Sequence, residues 1–215
     1  MREPLQYSLM SKSIATRVAS SISRLPEQSF VRVRDLEIRI GATRHAIEVA
    51  LSRLAAADSV QSMGRGVYWK GARTREGMQP PSPLHLGIEI GGIGSGPAEL
   101  TAVRFLGLTT QVPVAAHIAV PGRARAALPG VTFHARPYSR AVHQLRPAEV
   151  AVLEVLRIWP SGIEAEWSAL RRRVNTLIKQ GVVRDEVVTA AVSDERTPDA
   201  RRHWHRLSAR NQRPR

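Results

Sequence analysis

DLEIRIGATRHAIEVALSRLAAADSVQSMGRGVYWK, residues Asp35 to Lys70, decides the reading of this chain. Asp35 through Ile40 can form a short helix, and Gly41 supplies the backbone freedom for a sharp turn. Thr43 is the candidate N-cap of the next helix, although no Glu or Gln stands three residues on to complete a capping box. Ile47, Leu51 and Leu54 then recur at helical spacing, with Ala50 beside them, and define a stripe to be buried. At about 3.6 residues per turn, His45, Glu48, Val49 and Ser52 fall on the opposite face, with Arg44 at the N-terminal end. Beyond this helix, Ser59–Met63 and Val67–Lys70 flank Gly64-Arg65-Gly66, a turn that favours a hairpin with Arg65 at its tip. Helix, turn, helix and basic-tipped hairpin in this order predict a winged helix-turn-helix.

Taken singly, the amphipathic helix fits an ordinary solvated surface helix, and the hairpin fits a plain turn. It is the order and spacing that point to DNA, because this motif lays its second helix in the major groove and reads base edges with N-terminal residues. The candidate DNA-binding residues are therefore Thr43, Arg44, His45, Glu48 and Ser52 on the helix, with Arg65, Lys70 and Arg73 on and behind the hairpin. Arginine can bridge guanine O6 and N7, and glutamate can accept from cytosine N4. The hairpin arginine would meet the backbone or the minor groove.

Composition supports a polyanion partner. The 215 residues carry a net charge of +14, and 29 of the 32 basic residues are Arg. Arg bias also accompanies GC-rich genomes, so the Arg-to-Lys ratio decides nothing by itself. A hydrophobic fraction of 43% is that of a globular chain. Residues 1–75 hold 13 basic and 6 acidic side chains, a net of +7, whereas residues 80–200 hold 13 and 11, a net of +2. The electrostatic footprint thus falls on the N-terminal segment and on the six arginines of residues 201–215. Cysteine is absent, which removes disulfides and thiol metal sites and suits a reducing cytosol. The start, MREPLQYSLMSK, carries charge and proline where a signal peptide needs an apolar run. No stretch approaches the roughly 18 apolar residues of a membrane span. The expectation is a soluble cytoplasmic protein with no membrane partner.

Ser11 is a candidate N-cap for a first helix with Ile14, Val18, Ile22 and Leu25 on one face, halted by Pro26. Phe30, Val31 and Val33 read as a short extended piece, with Phe30 and Leu36 closing the core. Gly71 to Pro83 has three prolines and no periodicity, the composition of a linker. In GGIGSG, Gly91 to Gly96, Pro97 stands where a third glycine of a dinucleotide fingerprint would be, and no G-K-[ST] follows. A flexible connection before a helix from Pro97 to about Leu106 is the expectation. Strands are predicted over Ala115–Val120 and Val131–Arg136. Helices are predicted over Pro147–Trp159, with core positions Val150, Leu153, Val155 and Leu156, and over 163–180, 184–192 and 198–207.

The passage GLTTQVP at Gly107 to Pro113, following an N-terminal segment that ends RGVYWKG, resembles the AbiEi family of bacterial antitoxins. That resemblance spans most of the chain, and GLTTQVP is its more specific part. It implies an autoregulating antitoxin whose N-terminal domain binds inverted repeats in its own promoter. The C-terminal domain would counteract a nucleotidyltransferase-like toxin encoded beside it. Read from the residues alone, Thr109, Thr110 and Gln111 are either a turn that satisfies local backbone groups or a polar surface for the toxin. The expected fold class is α+β. Residues 1–75 are a winged helix-turn-helix, 76–83 a linker, 84–207 a mixed C-terminal domain of a small β-sheet packed with several helices, and 208–215 a basic disordered tail.

An enzyme finds no support in the sequence: there is no G-x-S-x-G, no H-E-x-x-H and no cysteine nucleophile. His203 and His205 could chelate a metal, but no third ligand is suggested, and a basic surface helix is their expected home. Neither cofactor nor metal is expected. Two function classes remain open, the antitoxin regulator and a stand-alone transcriptional regulator whose C-terminal domain senses a small ligand. A monomer in solution is favoured.

Overall fold

The computed structural model describes residues 13–161 and 163–208, and the chain divides into two compact units, Met1–Pro81 and Ser82–Arg215. Both are small sheets packed with helices, a mixed α+β architecture. The cap expected at Ser11 lies outside the described residues, as do residues 209–215 of the tail expected from 208, while Ser208 is the last residue of a helix.

In the first unit, α1 (Ile14–Ser23) is capped by Ser13, whose hydroxyl accepts from Thr16 N at 3.2 Å. β1 (Ser29–Arg32) leads directly into α2 (Val33–Ile40), which ends at Gly41 in the left-handed conformation, φ 66°. Only a residue without Cβ takes that turn cheaply. Thr43 then caps α3 (Arg44–Ala56) by accepting from Ala46 N. β2 (Gln61–Gly64) and β3 (Val67–Lys70) form the hairpin, and β1 adds to β3, giving an antiparallel sheet of order β1-β3-β2. The helical stripes meet in one core of Val18, Ile22, Leu36, Ile40, Ile47 and Leu51, completed by Val31 and Tyr68 from the sheet. Phe30 is half-buried and lies against Trp69, ring centroids 4.6 Å apart, rather than beside Leu36 in the centre.

Residues 76–83, expected to be linker, are mostly structured. β4 (Arg73–Thr74) pairs with β5 (Gly77–Met78), the Trp69 indole donates to Gln79 O at 2.7 Å, and Ser82 caps the next helix. A Cβ on Gly71 would stand 2.3 Å from that same Gln79 oxygen, so the chain folds back where only glycine fits. Two-residue strands leave no period to read, which is why composition suggested a free connection.

The second unit begins with α4 (Pro83–Gly91), Pro83 taking the first-turn position where its missing N–H costs nothing. β6 (Gly96–Pro97), α5 (Glu99–Phe105), β7 (Ala116–Pro121) and β8 (Val131–Arg136) follow. β6 is antiparallel to β7, and β7 is parallel to β8 through a helix-free connection over residues 122–130. Helices α6 (Ser139–Val142), α7 (Pro147–Ile158), α8 (Trp167–Lys179), α9 (Asp185–Ser193) and α10 (Pro198–Ser208) complete it. α7 is the axis: every residue from Ala148 to Leu156 is buried, with α5, α9, α10 and β6 packed around it. The predicted core positions Val150, Leu153, Val155 and Leu156 are all inside, and so are Glu149, Ala151, Val152 and Glu154 between them. A helix enclosed on all sides must be apolar all round or pair what is not.

The glycine-rich passage is a packing device. A Cβ on Gly94 would meet the Arg140 carbonyl at 2.7 Å, and one on Gly96 would meet Val150 Cβ at 2.7 Å. Pro97 consequently lies in β6, and the helix expected from it starts at Glu99.

Candidate functional site

Arg44, His45 and Ser52 are exposed on α3, and Glu48 is partly exposed. Arg44 Nε donates to Glu48 Oε1 at 2.7 Å, and that bond, ahead of the simple charge attraction, raises the guanidinium pKa. The pair fixes where the arginine sits. A Cβ on Gly66 would lie 3.5 Å from Arg44 Nη2, so the first residue of α3 reaches the base of the hairpin turn. Gly64, Arg65 and Gly66 all take positive φ, 82°, 54° and 73°, and Arg65 is exposed between the two glycines. Sequence-predicted Thr43, Arg44, His45, Glu48 and Arg65 are thereby gathered at one end of the unit, with Ser52 two turns further along α3.

Lys70 and Arg73 have other work. The Lys70 ammonium donates to Ile22 O at 3.0 Å, to Ser23 O at 3.1 Å and to Leu25 O, closing the C-terminal end of α1. A cation is favourable where helix carbonyls lack partners. Arg73 Nη2 donates to Asp58 O at 2.9 Å, linking β4 to the end of α3. Exposed Arg34 and Arg39 on α2, Arg53 on α3 and Arg75 between β4 and β5 add positive charge that the sequence reading left unassigned.

In the second unit, Gly107 ends α5 with φ 72°, and buried Leu108 returns its N–H to Val103 O at 3.0 Å. Thr109 Oγ1 accepts from Gln111 N at 3.1 Å and donates to Glu164 Oε2 at 3.1 Å, while Gln111 Nε2 donates to Glu164 Oε1 at 2.6 Å. The Gln111 amide first, and then the Thr109 hydroxyl, hold the Glu164 carboxyl below its ordinary value. Arg104 donates to the carbonyls of Thr110 and Gln111 at 3.1 and 3.4 Å. So the polar side chains of Thr109 and Gln111 turn to Glu164, and Thr110 is exposed. What the loop gives to solvent is apolar: Val112 is 70% exposed and Val114 fully so.

The buried charges of this unit were not foreseen. Glu154, 0% exposed on α7, accepts from Arg136 Nε and Nη2, both at 2.7 Å, and from Arg140 Nη1 at 2.7 Å. Arg140 also donates to buried Glu195 at 2.7 Å. Burial works to raise the Glu154 pKa, but the bonds and charges of the two arginines outweigh it and hold it low. Glu149 likewise accepts from the Arg184 side chain at 2.7 Å, from Arg184 N and from Arg146 N. His203 Nδ1 donates to Leu156 O at 2.7 Å inside the core, whereas His205 is exposed, so the two do not converge. Beyond the ends of β7 and β8 a cleft of about 480 Å³ opens, walled by Arg136, Arg157, Arg196, Thr197, Tyr138 and Gly122. Its residues come from segments too far apart in sequence for any local motif to announce them.

Comparison with known protein families gives no match, and no significant relative is found among the curated proteins. Among the described residues, no helix is long and apolar enough to cross a membrane.

Proposed function

We propose that this chain is a cytoplasmic DNA-binding transcriptional autoregulator with a winged helix-turn-helix as its N-terminal unit, acting as the antitoxin of a toxin–antitoxin pair. What carries the DNA-binding part is the approach of Arg44, at the start of α3, to Gly66 in the hairpin turn. It gives helix and hairpin a common basic edge. The order α1-β1-α2-α3-β2-β3, with β3 central, supports the same reading. In this proposal Arg44, His45, Glu48 and Ser52 face bases, Arg65 meets the backbone or minor groove, and Thr43 sets the helix start. Lys70 and Arg73 support the fold.

The antitoxin part rests on the GLTTQVP resemblance. The surface for a nucleotidyltransferase-like toxin is then the loop whose Val112 and Val114 lie exposed beyond the Glu164 clamp. The full chain should bind duplex DNA from upstream of its own gene more tightly than a scrambled duplex in fluorescence anisotropy. It should also copurify with the product of the adjacent gene and rescue cells from it. Equal affinity for both duplexes would sink the operator reading. An adjacent product that neither harms growth nor copurifies would sink the antitoxin reading.

A further inference from the structure

We propose that the cleft at the carboxyl ends of β7 and β8 binds a phosphate-bearing small ligand of nucleotide size. This goes beyond the regulator reading and does not depend on it, since every residue involved belongs to the second unit. A volume of about 480 Å³ suits a mononucleotide. Three guanidinium groups line the space, and among the described residues no carboxylate does.

Their states differ in a way that suits an anion. Arg136 is held in place by Glu154 through Nε and Nη2 and by Glu99 through Nη2 at 3.3 Å, leaving Nη1 with a single bond, to Ala135 O at 3.0 Å. Arg157 Nη1 donates to Thr197 Oγ1 at 2.9 Å, its only bond among the described residues, so most of its fork is open. Arg196 is exposed and has no ion-pair partner among the described residues. Two of the three positive charges therefore lack a counter-ion, and like charges gathered without one attract an anion. A phosphate offers oxygens that guanidinium forks bind in bidentate fashion.

Two features of the backbone point the same way. Thr197 immediately precedes α10, a helix of 11 residues whose dipole favours negative charge at this end, where Asp199 already stands in the first turn and pairs with Arg202. Gly122 N donates to Arg136 O at 2.9 Å, tying together the ends of the two parallel strands and fixing the wall of the cleft beside Arg136. Tyr138, 69% exposed at the mouth, supplies an aromatic face for a base.

The test is calorimetric titration of the full chain at physiological salt with AMP, ribose 5-phosphate, inorganic phosphate and adenosine. AMP and ribose 5-phosphate should bind saturably to one site, and adenosine should not. Arg196→Ala and Arg157→Ala should each weaken AMP by about tenfold or more, the effect of losing one charge-assisted contact. Arg196, being exposed, provides the variant whose folding is safe, and circular dichroism checks the other. Arg65→Ala should change nothing, which separates this site from the DNA-binding surface. Tyr138→Ala should remove the advantage of AMP over ribose 5-phosphate. The proposal is overturned if no phosphate compound binds, if affinity survives the Arg157/Arg196 double substitution, or if only oligonucleotides bind in a cleft-dependent way. Equal affinity for AMP and inorganic phosphate overturns the nucleotide assignment.

Discussion

Replacing Lys70 with methionine keeps the length and the apolar stem of the side chain and removes the ammonium. The carbonyl oxygens of Ile22, Ser23 and Leu25 at the end of α1 then lose the ammonium, and that of Ile22 keeps its backbone donors Arg24 N and Leu25 N. A hydrogen bond to a charged group contributes about 1.5–3 kcal/mol, and a cation at a helix C-terminus up to about 2 kcal/mol. These overlap, because one ammonium serves all three acceptors and the site is partly open to water, so the loss should total about 2–3 kcal/mol. For a unit of this size each kcal/mol moves Tm by about 4–8 °C, which gives a drop of about 10–20 °C. Thermal unfolding of the full chain, followed by far-UV circular dichroism, should show the transition of the first unit moving down while that of the second stays in place. Well below that transition, operator affinity and its salt dependence should be those of the parent. An unmoved Tm together with a salt slope reduced by roughly 0.9 would mean that the ammonium leaves α1 for a phosphate, and the structural role would be refuted.

Arg44→Ala should lower affinity for the operator by about tenfold or more while barely changing affinity for scrambled DNA; a parallel fall in both would assign Arg44 to phosphate alone. Arg65→Ala should lower the slope of log K against log salt by roughly 0.9, read from anisotropy at several salt concentrations. Glu154→Gln should cost about 3–5 kcal/mol in denaturant unfolding, because Arg136 and Arg140 lose the buried counter-ion they share, leaving Arg140 with Glu195 and Arg136 with the more exposed Glu99. The carboxyls of Glu149 and Glu154 are held below their ordinary value of 4.5, so the stability they supply is complete above that pH and lost as pH falls through the lowered values. Acid unfolding of the second unit should therefore begin below about pH 4.5 and be shallower in Glu154→Gln, as measured by near-UV circular dichroism.

Legibility followed distance along the chain. The stripe Ile47–Leu51–Leu54 is complete within a few turns, and the helix carrying it stands close to where its spacing put it, whereas the helix predicted over 163–180 starts only at Trp167. Thr43 as a cap and Arg65 at a hairpin tip needed only their neighbours. Lys70 looked like a phosphate contact because the carbonyls it serves lie on α1, far back in sequence. Gly71 to Pro83 looked unstructured because one indole bond and two very short strands hold it, and neither leaves a pattern. Arg136, Arg157 and Arg196 meet only after β8, α7 and the segment before α10 have packed, so the cleft has no signature in any single stretch.

The enclosure of α7 bears on how related sequences would be interpreted. From Ala148 to Leu156 no position is free to drift: a small residue cannot grow and a large one cannot shrink without a clash or a void. Glu149 and Glu154 are under the same constraint, since each is a buried carboxylate whose oxygens are taken up by arginine donors. In an alignment they would stand as two invariant carboxylates on a helix five residues apart, close to invariant arginines and a cleft. That profile imitates the acid and base of a hydrolase. Here the invariance would come from packing and ion pairing, and selection on folding would leave the same trace as selection on chemistry.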